Sequence, residues 1–232
     1  MKVLLKKATV LSPSSPFHGN TRDILIDNGI ISKIATNLSD EADHVIENDN
    51  LFVSPGWMDC FANFCDPGQE FRETLATGSK AAAAGGFTDV ILIPNTQPVI
   101  SGKGQVEYVI QKGKSYPVTI HPLGSVTKNA EGKELAEMYD MYQTGAIAFS
   151  DGLQPVQSSG ILQKALEYVL AIDATIIQLP DDKSIGTHGL MNEGEVSTRL
   201  GLPGKPALAE ELMIARDIEL ARYTGSKIHF TG

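Results

Sequence analysis

A parallel α/β fold is predicted for most of this chain by two observations. From Val53 onward, short apolar runs alternate with helical stretches, the signature of repeated βα units joined by right-handed crossovers. The run Asp89-Val90-Ile91-Leu92-Ile93-Pro94 is apolar on both alternating faces, as a strand covered on both sides requires. Periodicity alone does not choose between a closed barrel and a doubly wound open sheet.

Residues 2–51 read differently, as short strands. Residues 23–34 carry a hairpin signal, with Asn28-Gly29 suited to the positive φ angles of a tight two-residue turn. Residues 12–20 form a polar, proline-containing loop. The expected division is therefore an N-terminal β portion, 1–52, and an α/β portion, 53–232. In the second portion residues 72–85 are expected to be helical, closed by Gly85-Gly86. Helices are further predicted at 105–115, 134–144, 159–170 and 207–223, and strands at 89–94, 118–123, 146–150, 174–178 and 227–230. With the run from Val53 this makes six βα strands, the sixth ending two residues before Gly232. Six strands alone would leave open edges and bare apolar faces, so these residues are expected to be part of a longer polypeptide.

Composition bounds the function. The chain has 232 residues, a net charge of -9, 42% hydrophobic and 20% charged residues, ordinary values for a globular protein. An acidic balance without basic clusters argues against nucleic acid or an anionic membrane surface as partner. No apolar run approaches the ~20 residues of a membrane helix, and no signal peptide is expected from Met1-Lys2-Val3-Leu4-Leu5-Lys6-Lys7. The two cysteines, Cys60 and Cys65, fall on opposite faces of the proposed strand, so a reduced, cytoplasmic protein is expected.

The stretch Val53-Ser54-Pro55-Gly56-Trp57-Met58-Asp59-Cys60-Phe61-Ala62-Asn63-Phe64-Cys65-Asp66-Pro67-Gly68 reads as a buried strand running into a loop, with Asp59, Phe61, Asn63 and Cys65 on one face. It resembles the first barrel strand of the dihydroorotases, within the cyclic amidohydrolases: Pro-Gly-x-hydrophobic-Asp-x-His-x-His-x-Arg-Asp-Pro-Gly. Pro55, Gly56, Asp59, Asp66, Pro67 and Gly68 keep the frame. Ile93-Pro94-Asn95-Thr96-Gln97-Pro98, residues 145–151, Asn192-Glu193-Gly194-Glu195 and Ala209-Glu210-Glu211 extend the resemblance over nearly the whole chain. It implies a (β/α)8 TIM-type barrel of the metal-dependent amidohydrolase kind, with residues 1–52 forming half of a small β-sandwich.

The resemblance also implies a chemistry and a set of positions for it. Dihydroorotases use zinc to polarise a cyclic amide and activate a water. The pattern's two strand-one histidines fall on Phe61 and Asn63, its arginine on Cys65, its strand-five histidine on Gln178, and its strand-six ligand on Gly232. Asp151 is retained at strand four, with Gly152 where many relatives have a second aspartate, and Asn95 matches an asparagine that helps hold the substrate. Asp59 and Asp151 are the remaining carboxylates that could act as ligands, Asp59 being expected to serve structure instead and Asp151 being the one catalytic candidate. His18, His44 and His121 lack ligand spacing; His188, in a loop near the active face where it could contact a ligand, is expected to be a solvated loop histidine; and Cys65 has no neighbour in sequence to activate its thiol. No metal is therefore expected. The function expected is that of a non-catalytic dihydroorotase homologue in pyrimidine biosynthesis, homo-oligomeric and a partner of aspartate carbamoyltransferase. An active dihydroorotase with an atypical zinc site and a small-ligand-binding protein using the same pocket are the alternatives.

Overall fold

The computed structural model describes residues 1–232, which divide into two compact units, Met1–Gly56 and Trp57–Gly232. The first unit is one five-stranded sheet built from β1 (Lys2–Val10), β2 (Thr21–Asp27), β3 (Ile30–Ala35), β4 (His44–Glu47) and β5 (Phe52–Val53). Its order is β3-β2-β1-β4, and β5 also pairs with β1. The expected hairpin forms, with Asp27 opposite Ile30 and with Asn28 and Gly29 at φ 49 and 82. Both central residues of that turn sit in the left-handed region, so its twist matches the strands on either side. Ala8, Val10 and Ile24 are the buried centre of the unit. The change of pattern expected at Val53 falls later, because Phe52 and Val53 still pair with Thr9 and Val10.

The second unit begins with β6 (Trp57–Ala62) and continues through α1 (Leu75–Ala84), β7 (Phe87–Leu92), α2 (Lys103–Gly113) and β8 (Thr119–Pro122). After a 3₁₀ turn at Lys128–Ala130 come α3 (Met138–Thr144), α4 (Ser159–Leu170) and β9 (Thr175–Gln178). A small parallel pair, β10 (Met191–Asn192) and β11 (Gly204–Lys205), flanks α5 (Glu195–Leu200), and α6 (Leu208–Thr224) leads into β12 (Lys227–Phe230). Strands β6, β7 and β8 are parallel neighbours in that order, and β9 is parallel to β12.

Between the two sheets the expected fourth strand, 146–150, is reduced to single bridges. Phe149 pairs in parallel with Gly124 on one side and with Ile176 on the other. This corrects the expectation of a regular strand: the backbone groups of Ile147, Ala148 and Ser150 bond only towards Pro122 and Gly124, and Phe149 alone reaches β9, with Phe149 N donating to Thr175 O and Ile177 N to Phe149 O. The six staves thus stand in sequence order as in a TIM-type barrel, with β6 and β12 at the two ends of the series, and these residues do not close a ring. The helix expected over 134–144 starts only at Met138. The preceding residues are held extended by Thr127 pairing with Leu135 and by Ala136 N donating to Val126 O.

Side-chain alternation sorts the core into two layers. Val90, Leu92, Ile120 and Ile176 pack with Leu75, Val106, Val109, Met141, Leu162, Leu166 and Val169 from the helices. Ile91, Ile93, Leu123, Ala148 and Ile177 form a separate cluster of strand residues alone, on the face turned away from the helices. Helix α1 is fixed at its start by Thr74, whose hydroxyl accepts from Thr77 N, and it packs tightly on the loop after β6. A methyl at Gly78 would lie 2.4 Å from the ring of buried Phe64. Gly78→Ala should therefore lose more by overpacking, roughly 1–3 kcal/mol, than the ~1 kcal/mol that alanine contributes in a helix. A urea midpoint that rises in this variant would contradict the tight contact. No helix is long and apolar enough to cross a membrane.

Candidate active site

At the carboxyl ends of the staves, the chain leaves β-structure and its loops come together around one carboxylate. Asp151 follows the fourth stave and is fully buried. Its Oδ1 accepts from Thr127 N at 2.9 Å, and its Oδ2 lies 2.5 Å from Thr127 Oγ1. Gly132 N donates to the same Thr127 hydroxyl, which leaves the hydroxyl proton for Asp151. The carboxylate is in effect a clasp for the loop 127–132. Burial pushes its pKa up to about 6, against the opposing pull of the Thr127 hydrogen bonds.

Asn95 reaches the same place from the loop after β7. Its Nδ2 donates to Asp151 O at 3.1 Å and its Oδ1 accepts from Leu153 N at 2.9 Å, so the carboxamide spans the turn 151–153. Gly152, at φ 60, makes that possible, because a Cβ there would stand 1.8 Å from Asn95 Oδ1. A second aspartate at this position would displace Asn95.

The β6 end departs from the expected alternation. Asp59 is in register with Val90 and Ala62 with Leu92, so one extra residue bulges between them. Asp59 Oδ1 accepts from Phe61 N at 2.9 Å, which stabilises the bulge. Asp59 and Phe61 consequently do not share a face. Phe61 packs against the helix-free cluster of Ile91, Ile93, Leu123, Ala148 and Ile177. The strand ends at Ala62, so Asn63 and Cys65 belong to the following loop and not to a strand face. Asn63 Oδ1 accepts from Cys65 N and from its Sγ, and Cys65 sits at φ 57. Cys65 is buried and Cys60 exposed.

Gln178, at the end of β9, follows inward Ile177 and turns to the other face. It is 1% exposed, and its Nε2 donates to Val156 O. Gly232 borders a cavity of about 190 Å³ lined also by Leu179, Pro180, Ile214 and Phe230. The structure therefore brings Asn95 and Asp151 together, leaves Phe61 on the helix-free face and Asn63 in the loop after β6, and turns Gln178 towards the helices.

Two polar clusters escaped the sequence reading. Buried Asp66 accepts from Leu75 N, Tyr108 OH and Lys112 Nζ at 2.9–3.1 Å. Burial alone would raise its pKa, and these partners pull it below the ordinary carboxylate range instead. His121 Nε2 lies 2.9 Å from Asp89 Oδ1, and that contact, the largest influence, lowers the Asp89 pKa. The His121–Asp89 and Tyr108–Asp66 contacts join residues 32 and 42 positions apart, which the sequence does not pair.

Residues 50–231 match the family described as dihydro-orotase-like. A dihydroorotase of Syntrophus aciditrophicus is 41% identical over 232 residues, covering 99% of this chain and 54% of that protein. This chain belongs to the dihydroorotase-like family. A dihydroorotase of Aquifex aeolicus is 39% identical over 230 residues with the same coverage. The dihydroorotase-like chain thus spans about half the length of the curated relatives it matches. Among solved structures, L-hydantoinase (dihydropyrimidinase) from Arthrobacter aurescens superposes with a TM-score of 0.77 at 22% identity, over 98% of this chain and 52% of that one. A crystal structure of a dihydroorotase gives 0.56 at 14% identity, over 99% and 64%. These likenesses establish the fold, that of the hydantoinase and dihydroorotase amidohydrolases.

Zinc fits this dihydroorotase-like site poorly. It needs three or four nitrogen, sulfur or carboxylate donors converging at about 2.0–2.3 Å. No group of three or more His, Cys, Asp or Glu side chains is placed to hold a metal ion. Asp151, the one carboxylate at the centre, has both oxygens engaged by Thr127. Phe61 contributes a phenyl ring, and Asn63 an amide oxygen already accepting from Cys65.

Proposed function

We propose that this chain is a dihydroorotase-like protein of pyrimidine biosynthesis that acts without catalysis, as a structural or regulatory partner of aspartate carbamoyltransferase. One observation carries the reading: of the positions where a cyclic amidohydrolase needs converging metal donors, Phe61 offers an aromatic ring, Gln178 is turned towards the helices, and Asp151 is a carboxylate already tied to Thr127. Opening a cyclic amide at neutral pH needs an activated water and a stabilised oxyanion. Asp151, with its pKa near 6, could take a proton, and a positioned base alone supplies ~10²–10⁴-fold. That falls short of the ~10⁶-fold or more that enzymes reach. In the family pattern the positions Phe61, Asn63, Gln178 and Gly232 are those of metal ligands, and Cys65 that of the arginine binding the substrate carboxylate. Asn95 remains for a ligand only if it releases the turn 151–153.

The names of the relatives favour a second reading, an active dihydroorotase with an atypical zinc site, with Asp151 as base and ligand. One experiment separates the two. The protein is dialysed against zinc, its metal content measured, and hydrolysis of dihydroorotate followed, with solution mass determined alone and with aspartate carbamoyltransferase. The expected outcome is well under one zinc per chain, no turnover, and a mixed complex. Turnover at an ordinary enzyme rate, or one tightly held zinc lost in Asp151→Asn, would establish the second reading instead. A mass unchanged by aspartate carbamoyltransferase would remove the partner.

A further inference from the structure

We infer that Gln178 is a positioning residue: with Arg216 and Asp217 it braces the backbone at residues 156–157 against α6, and this brace sets which way the β9 end presents its side chain. The inference rests on the non-catalytic reading above, and it explains why the position is closed to a ligand role.

The arrangement starts from alternation. Ile176 packs with the helix layer and Ile177 with the helix-free cluster, so Gln178 returns to the helix side. A long polar side chain entering that layer must find partners, since a buried carboxamide without them is costly. It finds Val156 O, which also accepts from Arg216 Nη2 at 3.0 Å. Arg216 Nη1 donates to the next carbonyl, Gln157 O, at 2.6 Å, and its Nε donates to Asp217 Oδ1 at 2.6 Å. Asp217, on α6 and paired with Arg216, is itself fully buried. One guanidinium and one carboxamide therefore hold two successive carbonyls of the loop between the fourth stave and α4.

The effect spreads to the next loop. Gln157, once placed, donates to Asp181 O and accepts from Lys183 N, so the loop after β9 is stitched to the loop after the fourth stave. Gln178 Oε1 and Asp217 Oδ2 are left without partners. The brace therefore already carries uncompensated acceptor atoms, and an imidazole, which is shorter and rigid, does not place its N–H where the Gln178 carboxamide meets Val156 O. Turning residue 178 towards the stave ends would in addition leave Val156 O to Arg216 alone.

The test compares the full-length chain with Gln178→His, Gln178→Met, Arg216→Lys, and the triple variant Phe61→His, Asn63→His, Gln178→His. Zinc content, melting temperature and amide hydrogen exchange over residues 155–162 and 181–184 are measured for each. Gln178→Met keeps the length and loses the hydrogen bonds. It should speed exchange in both segments about tenfold or more and lower the melting temperature by roughly 4–10 °C. Gln178→His should do the same, and the triple variant should hold no more zinc than the parent. Unchanged exchange in Gln178→Met would show that no brace exists. One zinc per chain in the triple variant, with exchange preserved, would show that the β9 end is free to present a ligand. Stoichiometric zinc or turnover in the unmodified chain overturns the non-catalytic reading alone, and the exchange results still decide the brace. Should Gln178→His not fold, Gln178→Met and Arg216→Lys decide it.

Discussion

Phe149→Ala is expected to lower the stability of the second unit by about 3–5 kcal/mol, the range for emptying a buried aromatic site. Phe149 is fully buried, and its ring fills the space over Gly124, where an added Cβ would come within 2.8 Å of it. The surrounding Met141, Leu162 and Ile176 belong to the same packed layer and cannot collapse far without pulling on α3, α4 and β9. The backbone bonds through residue 149 survive the substitution, so the loss reports packing alone. Denaturant titration measures it, and a change under about 1 kcal/mol would mean that the fourth stave is held by its bridges and not by its side chain.

Asp151→Asn is expected to change how stability depends on pH. The Asp151 pKa is raised from its ordinary 3.8 to about 6, so the folded chain binds more protons than the unfolded one between those values. Its contribution is therefore present below pH 3.8 and is lost as pH rises through 6. The span corresponds to about 3 kcal/mol. Asp23, Asp66 and Asp181 have lowered pKa values and act in the opposite direction, losing stability as pH falls. The parent's own profile mixes these trends, and the difference between parent and Asp151→Asn isolates one. Relative to the variant, the parent should weaken between pH 4 and pH 7. A difference that is flat over that interval, or of opposite sign, would show Asp151 to be ionised at ordinary carboxylate pH and would remove the basis for treating it as a candidate base.

Much of the architecture was legible because it is repetitive. Residues 159–170 and 227–230 have the bounds expected from their patterns, and Asn28-Gly29 makes the expected turn. The departures have local causes that pattern does not encode. Residues 146–150 are apolar enough for a strand, yet Gly145 at φ 117 precedes them and only Phe149 meets both neighbours. The Asp59 side chain bonds its own backbone two residues on and shifts the register, which a strict two-residue alternation cannot anticipate.

The candidate site was less legible than the fold. Asp151 and Asn95 were found by resemblance, but their partners are the backbone N–H and hydroxyl of Thr127 and the backbone of residues 151–153, brought close only by the stave order. The direction of Gln178 depends on where β9 begins in its alternation, and a one-residue difference there reverses the face. Asp66 with Tyr108 and Lys112 carried a weak signal, since Tyr108 and Lys112 are one helical turn apart on α2.

The sequential order of the staves has a consequence for how the chain is made. Each strand's first neighbour is the segment synthesised just before it: β6 with β7, β7 with β8, Gly124 with Phe149, Phe149 with Ile176, and β9 with β12. A nascent chain emerging from the ribosome can dock one βα segment at a time onto an edge already formed, with no strand held waiting for a distant mate. The loop closed at each step but the last, where β10, α5 and β11 lengthen the connection to β12, is about one repeat long, and doubling a loop adds only about 0.6 kcal/mol. Assembly of the second unit is thereby paced by the repeat rather than by the whole span, a vectorial route that keeps its contacts short in sequence despite an all-parallel sheet.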